Sequence, residues 1–293
     1  EVSVSAVKTL GTEWGARESF DQTTVEMEQD GPRVLVRTRR QRDGGIFGWI
    51  GVGRTPAKVA YTVYAPLTSD VSVRTVSGPI AVSDVVGAVY LRAVDGNITI
   101  KRVSGQIITS SVESNVHGSE AAGTLAVKSI AGNVIMEQSR LSSFWSKTVD
   151  GSVRLETTLD PTGTYESGSV SGSLHILAPP DTRATAELTS VSGRARCSLP
   201  CQATDSGVGR RRWHGVINGG DGARIYLKTV DGSLIIEPTT ALSPAAPAPP
   251  APAPTPSGGQ RQWPEMDVLK AVERGELTVE EAIARLAELD KGL

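Results

Sequence analysis

Thr148-Val149-Asp150-Gly151-Ser152-Val153-Arg154-Leu155 is the stretch that decides the fold, because close copies of it recur along most of the chain. Each copy ends on a glycine, and apolar residues follow that glycine at alternate positions. The glycines of the copies are Gly78, Gly96, Gly132, Gly151, Gly172, Gly193 and Gly232. An alternation of period two predicts strands with one buried face, and the glycines mark the turns between these strands.

The spacing of the glycines predicts how the strands are arranged. Gly78, Gly87, Gly96, Gly105, Gly123 and Gly132 share one nine-residue phase, with Ser114 in the place of the missing member. Nine residues hold one strand and one turn, whereas the better-preserved copies recur every 18 to 21 residues. A regular period of that length predicts stacked coils. We therefore predict a mainly β protein, a parallel β-solenoid of about 18–21 residues per coil, with an antiparallel β-sandwich as the alternative.

Equivalent strands of a solenoid stack in register, which predicts its core. We expect the apolar residues two before, two after and four after each glycine to point inwards, as Ile130, Val134 and Met136 do around Gly132. One predicted internal ladder consists of Val94, Ile130, Val149, Val170 and Val191. Because burial of such a side chain contributes roughly 1.5–3 kcal/mol, replacing one by Asp is expected to be severe.

Length and composition limit the number of domains, the classes of partner and the location that the chain can have. A chain of 293 residues holds one large domain or two small ones. Its net charge of −2 gives no reason to expect nucleic acid as a partner. The chain as given shows neither a long apolar run nor a signal-peptide pattern, so we expect no transmembrane helix or leader, and a cytoplasmic and a cell-envelope location both stay open.

Cys197 is either a small buried hydrophobic residue or half of a local bridge to Cys201.

Residues 1–70 predict a short antiparallel cap module in front of the repeats of residues 71–237. Asp30-Gly31 lies between two alternating segments and is typical of a hairpin turn. A glycine-rich apolar loop with Phe47 and Trp49 follows a cluster of arginines. This loop either touches an anionic membrane surface or an envelope polymer, or folds back over the open end of the repeats.

The regular spacing fails at two places within the repeats. Residues 137–147 contain Trp145, and residues 202–222 contain a basic and aromatic cluster. The cluster consists of Arg210, Arg211, Arg212 and Trp213. Insertions in repeat proteins form loops on one face, often the binding face. We therefore take these side chains as candidate contacts with a phosphate or a sugar, the alternative being a solvated loop with Trp213 packed on the last coil.

The C-terminal part has a different composition. Residues 238–263 form a Pro/Ala-rich linker, for which polyproline II is the expected state. Residues 264–293 predict a helical hairpin with a capping box at Thr278 and Glu281. Its apolar positions are Val268, Leu269, Val272, Ile283, Leu286 and Leu289. A hairpin this short lacks a stable core, so we expect it to self-associate, to dock on a protein partner or to fold back on the solenoid.

The repeats resemble the adhesin-type β-strand-repeat family, the domain of unknown function numbered 4097. The resemblance covers about residues 1–237 and rests on the repeated Val-Ser-Gly and Val-Asp-Gly units and on the glycine-rich ending at residues 215–222. It implies a repetitive β fold, no known catalysis and, in some relatives, a role in bacterial envelope-stress responses. The tail resembles the short oligomerisation hairpins of the SHOCT-like class that are often joined to this family.

No motif in the sequence predicts catalysis, a cofactor or a metal site. His117, His175 and His214 are scattered, and His175 is expected to point outwards. Asp95, Asp150 and Asp231 recur at turns and could stack as a carboxylate row, although Asp-Gly and Ser-Gly also form turns without any catalytic role. We therefore expect a non-enzymatic scaffold or binding protein of the bacterial cell envelope or its stress response.

Two other functions stay open at this point. One is a carbohydrate-active enzyme on a β-helix. The other is a self-polymerising structural protein, because open solenoid ends present unpaired strand edges. Pro238 and the N-terminal module argue against polymerisation, since they are expected to blunt the two ends.

Overall fold

The computed structural model describes residues 1–10, 16–40, 57–203 and 212–239, and these residues are almost entirely β. One short helix, α1, spans Ala16–Asp21. The strands in chain order are β1 (Ser3–Thr9), β2 (Thr23–Asp30), β3 (Arg33–Arg40), β4 (Lys58–Tyr64), β5 (Val71–Ser77), β6 (Ile80–Asp95), β7 (Ile98–Glu113), β8 (Val116–Ser119), β9 (Ala122–Ala131), β10 (Val134–Lys147), β11 (Val153–Leu159), β12 (Thr164–Ser171), β13 (Leu174–Ala178), β14 (Ala184–Ser190), β15 (Ala195–Cys197), β16 (Cys201–Ala203), β17 (Arg212–Ile217), β18 (Ala223–Asp231) and β19 (Leu234–Pro238).

The first four strands form two antiparallel pairs. β1 pairs with β4, and β2 pairs with β3. The β2–β3 hairpin turns at Gly31, which has a φ of +56°, so the hairpin predicted at Asp30-Gly31 is confirmed.

The strands from β5 onwards form a parallel β-solenoid, as the glycine spacing predicts. β6 pairs with β7 in parallel along its whole length, so that each residue lies opposite the residue eighteen positions later. The pairing bends around a corner within each strand, so one coil comprises two strand segments and two corners. The antiparallel sandwich is therefore wrong, and the nine-residue phase of the glycines is half a coil.

Two stacks of residues form the corners of the coils. The first stack contains all seven glycines of the repeated stretch, together with Ser114. The second stack contains Gly87, Gly105 and Gly123. We call the segment that follows the first stack the post-glycine side, and the segment that leads up to it the pre-glycine side.

The core lies between these two sides. On the post-glycine side the residues two and four after the corner are buried in every coil except that of β15, which confirms this part of the predicted core. They include Ile80, Val82, Ile98, Ile100, Val134 and Met136. On the pre-glycine side the inward row includes Val89, Ile107, Leu125 and Phe144.

The predicted internal ladder two residues before the glycine is wrong. Val94, Ile130, Val149, Val170 and Val191 are between 43% and 53% exposed. The residue that points inwards is the one before it, for example Ser129 or Thr148. The Thr148 hydroxyl donates to the carbonyl of Gly151 at 3.1 Å, which satisfies a backbone acceptor at the turn. The corner thus holds a small hydroxyl inside and turns the next two residues outwards, so alternation does not continue through the glycine.

The last coils stack in an order that differs from the order of their strands in the sequence. β18 lies between β12 and β14, and β19 lies between β13 and β15. Val230 therefore separates Val170 from Val191 in their row. The coil of β14 and β15 is the last one, and on the pre-glycine side the antiparallel strands β17 and β16 continue the sheet beyond it. Pro238 ends β19, as predicted, but it lies on an inner coil and does not blunt an end.

Residues 137–147, where the glycine spacing fails, are not an excursion from the coil. β10 runs through them, and Leu141 takes the corner position opposite Gly123. The pairing shifts register between Leu141 and Ser143, so Ser142 is one additional residue in this coil. Phe144 consequently points into the core, whereas Trp145 points outwards.

Candidate functional site

One outward row runs along the middle of the pre-glycine side. In register from coil to coil, this central row consists of Tyr90, Ile108, Ala126, Trp145, Glu166, Tyr226, Glu187 and His214. Strand pairing, parallel except between Glu187 and His214, holds neighbouring members about 4.8 Å apart. Trp145, predicted as a contact residue, lies in this row with Ala126 and Glu166 as its neighbours. The row therefore presents aromatic rings along one line, with Tyr90 three coils from Trp145 and Trp145 two coils from Tyr226.

An open depression lies beside Tyr226 in the central row. Its volume is ≈ 400 Å³, and it is lined by Pro161, Thr185, Asp221, Gly222, Arg224 and Tyr226. The backbone amide of Arg224 donates to the carbonyl of Gly163 at 3.0 Å, which fixes the neighbouring turn. Within that turn the amide and hydroxyl of Thr162 donate to Asp160 and lower the pKa of its carboxyl. An aromatic ring, a carboxylate and a guanidinium thus surround a solvent-open space.

A basic row lies two residues further along each strand. Its positively charged members are Arg74, Arg92, Lys128, Lys147, Lys228 and Arg212, with Ser110, Gly168 and Thr189 between them. The Arg212 guanidinium lies 3.8 Å from the carboxylate of Glu187. Side chains of one sign therefore recur along one line of the pre-glycine side.

The post-glycine side carries a cluster around His175. Nε2 of His175 lies 3.1 Å from a carboxylate oxygen of Glu237, and Nδ1 lies 3.5 Å from a guanidinium nitrogen of Arg154. The hydroxyl of Thr239 donates to Glu156 at 2.8 Å beside this cluster. Burial lowers the pKa of His175, and the guanidinium of Arg154 acts in the same direction, although Glu237 opposes them. The neutral ring fits these contacts, with Nε2–H donating to Glu237 and Nδ1 accepting from Arg154.

Comparison with known proteins identifies the family. The family model described as Toastrack DUF4097 matches residues 11–237. This chain belongs to the Toastrack family. A crystal structure of a candidate cell adhesion protein from Clostridium sporogenes is also similar, at 7% identity and a TM-score of 0.28, over 81% of this chain and 82% of that one. No curated protein gives a significant match.

The β-strand-repeat resemblance is thereby confirmed, whereas the resemblance of the Toastrack chain's tail to the SHOCT-like class stays a prediction. The predicted tail interface of residues 264–293 lies outside the described residues. Phe47, Trp49, Arg210 and Arg211 also lie outside them.

The described members of the 210–213 cluster have separate environments in the Toastrack solenoid. Arg212 is exposed, whereas Trp213 is partly buried and packs against the core. Trp213 lies opposite Leu188 in the antiparallel β14–β17 pair. The described part of the cluster therefore matches the alternative in which Trp213 packs on the last coil.

The turn aspartates of the Toastrack solenoid do not stack on one another, although Asp95 lies opposite Glu113. Asp150 has Ala131 and Ser171 as its neighbours in the adjacent coils. Asp231 lies opposite Ser171 on one side. Among the described residues, no group of three or more His, Cys, Asp or Glu is placed to hold a metal ion.

The two cysteines of the Toastrack chain are both free thiols and half-buried. The Cys197 thiol donates to the carbonyl of Leu199 at 3.9 Å and packs against the core. Burial raises the pKa of Cys197 to about 12. This arrangement matches the small buried hydrophobic residue that is one of the two alternatives for Cys197.

Two findings at the site lie beyond what sequence reasoning reached. The outward positions of Tyr90 and Tyr226 follow from the same alternation that buries their neighbours, but the rows become visible only when the coils are placed in register. The His175–Glu237 pair joins residues 62 positions apart, and its signal in the sequence was only that His175 points outwards. Within the described part of the chain, no helix has the length and apolar character needed to cross a membrane.

Proposed function

We propose that this Toastrack chain is a non-enzymatic binding scaffold of the bacterial cell envelope, and that an extended envelope polysaccharide lies along its central row. The observation that supports the proposal is the row itself, which brings Tyr90, Trp145 and Tyr226 onto one line of a rigid sheet. The envelope location rests on the role that the family resemblance implies.

The chemistry of the row suits a carbohydrate. Aromatic faces stack on the apolar faces of sugar rings, and the carboxylate of Asp221 and the guanidinium of Arg224 accept from and donate to hydroxyl groups. The solenoid holds these groups at multiples of about 4.8 Å, so a regular polymer meets several of them without deforming the protein. Because the rings are held in advance, little conformational entropy is lost on binding.

The test is co-sedimentation of the full chain with insoluble peptidoglycan. We expect Trp145→Ala and Tyr226→Ala each to weaken binding about fivefold, since stacking on one ring contributes on the order of 1 kcal/mol. Tyr64→Ala is the matched control, because Tyr64 is 70% exposed on β4, which belongs to a different sheet from the row. Equal binding by all three variants would overturn the proposal for the central row.

A carbohydrate-active enzyme is the second candidate, and the cluster around His175 is the observation that favours it. Glu237 contacts His175, and Glu156 lies on the strand next to β13. Glycoside hydrolysis commonly uses two carboxyl groups. Release of reducing sugar by the wild-type chain, lost in Glu237→Gln, would replace the scaffold proposal by this one.

We also propose that the tail of residues 264–293 adds a contact with a second copy or with a protein partner. Its support is the apolar pattern that contains Leu269 and Leu286. Light scattering should give a lower mass for the full chain with Leu269→Asp and Leu286→Asp than for the wild type. Equal masses at all concentrations would contradict self-association through the tail.

A further inference from the structure

The row that the sequence pattern places inside is an exposed apolar row. We name it the valine row. Its members, in the order of stacking, are Val76, Val94, Val112, Ile130, Val149, Val170, Val230 and Val191. Each is between 42% and 75% exposed. A scattered exposed valine needs no explanation, but a continuous line of apolar side chains on a sheet is typical of an interaction surface.

Charged residues flank the valine row on both sides. The basic row lies two residues before it, and carboxylates lie one residue after it. The carboxylates are Asp95, Glu113, Asp150 and Asp231. Three coils carry both charges around the same valine, namely Arg92 with Asp95, Lys147 with Asp150, and Lys228 with Asp231. Across the surface the order is therefore cation, valine, anion at the same level of the stack.

This order is complementary to itself in one orientation. A two-fold axis parallel to the solenoid axis places valine row against valine row and exchanges left with right. In the three coils that carry both charges, the cation then faces the carboxylate of the same coil in the other copy, for example Lys147 opposite Asp150. A two-fold axis perpendicular to the solenoid axis would instead place the two basic rows against each other, which charge repulsion disfavours.

We propose that the valine row is the interface with a second copy of this chain, and that the two solenoids lie side by side and parallel. The occupant is a second copy because one surface supplies both halves of the charge pattern, as a two-fold interface requires. The inference does not depend on the proposed carbohydrate binding, since the central row is a different line of residues.

The size of the row sets the strength of the contact. Eight coils at about 4.8 Å give a strip of roughly 34 Å. A strip of four residues in width covers on the order of 450 Å² in each copy, which lies at the small end of protein interfaces. We therefore expect a weak dimer that high salt weakens further, because its ion pairs are exposed to solvent.

Cysteine trapping in the full chain tests the orientation. In the parallel dimer a residue of the row faces its own copy, so Val94→Cys and Val230→Cys should each form a disulfide-linked dimer on mild oxidation. In an antiparallel dimer these positions, near opposite ends of the row, would face each other and cross-link only when the two variants are mixed. Thr99→Cys, exposed on the post-glycine side, is the matched control and should stay monomeric on a non-reducing gel, as should the wild type. Cross-linking only in the mixture, or equally in the control, overturns the proposal.

A charge exchange tests the pairing without cysteines. Lys147→Glu places two carboxylates opposite each other, so sedimentation velocity of the full chain should show at least a threefold weaker dimer. Adding Asp150→Lys to the same chain restores the pair with reversed signs and should restore the dimer. Circular dichroism confirms that the variants are folded, since both side chains are exposed. Two results contradict the inference: a wild-type chain that sediments as a monomer, or a double variant that dimerises no more strongly than the single variant. Binding of the wild-type row to anionic vesicles would point to a lipid partner instead.

Discussion

The apolar residues two positions before and two positions after each corner glycine are similar in type but differ in exposure to solvent. Val134 follows Gly132 by two positions and is fully buried, whereas Ile130 precedes it by two positions and is 50% exposed. Ser129 and Val134 both point inwards but are five positions apart, so the inward phase of the first segment does not match that of the second. Hydrophobic alternation therefore predicts the buried face within a straight segment, but its phase is lost at each turn.

The largest expected difference in stability is between a charge placed two residues after a corner glycine and a charge placed two residues before one. Ile98→Asp introduces a carboxylate at a position with 0% exposure, and we expect at least about 5 kcal/mol of lost stability and little folded protein. Ile130→Asp should fold and lose less than about 1 kcal/mol, because its side chain already meets solvent. Soluble yield and urea denaturation compare the two. Equal damage from both substitutions would mean that the valine row is buried after all.

The second effect separates strain at the corner from close packing between coils. A Cβ on Gly96 would lie 2.3 Å from the carbonyl oxygen of Gly78, whereas a Cβ on Gly78 would meet nothing within 4 Å. Both glycines have positive φ, +128° and +112°. Gly78→Ala should therefore cost about 1–2 kcal/mol from backbone strain alone, and Gly96→Ala distinctly more. Thermal unfolding measures the difference, and equal melting temperatures would show that the coils can separate without cost at this corner.

The third comparison uses two substitutions between Thr and Val, which have nearly the same shape, at neighbouring positions. Thr148→Val removes the shorter of two hydroxyl donations to the carbonyl of Gly151, the other coming from Ser169 at 3.4 Å, at a cost of about 1 kcal/mol. Val149→Thr changes only an exposed side chain and should cost less than about 0.5 kcal/mol. Guanidinium denaturation of the two variants checks the order. A larger loss for Val149→Thr would contradict the assignment of inside and outside at the corner.

The smallest effect concerns an outward residue that is nevertheless half-buried. The pKa of His175 lies below its ordinary value, so the unfolded chain takes up a proton more readily than the folded one. Stability should therefore fall as the pH drops below about 6.5, and the fall should be smaller in His175→Gln. Denaturation at pH 7.5 and pH 5.5 measures it. A wild type that gains stability over His175→Gln on acidification would show that attraction to Glu237 outweighs burial.

The sequence predicts which residues of one strand point outwards, but it does not predict which residues of other coils lie beside them. Trp145 was a candidate because the spacing fails around it, although the structure shows the cause to be one additional residue, Ser142, within a continuous strand. Trp213 was a candidate by its basic neighbours, yet it packs on the core. The sequence does not predict Tyr226 as a contact residue, because nothing near it in the sequence marks the depression that Arg224 and Asp221 complete.

The sequence by itself determined the coil length, the corner glycines and the core of the post-glycine side, because these follow from spacing within a few residues. Tertiary structure alone decided that the valine row faces outwards, since only the geometry of the stacked corner shows that a small residue such as Thr148 fills the inside. It also decided that β18 and β19 enter between earlier coils. Coils of similar sequence bury similar surfaces in either order, so local patterns cannot rank the two arrangements, and contacts between distant parts of the chain make the choice.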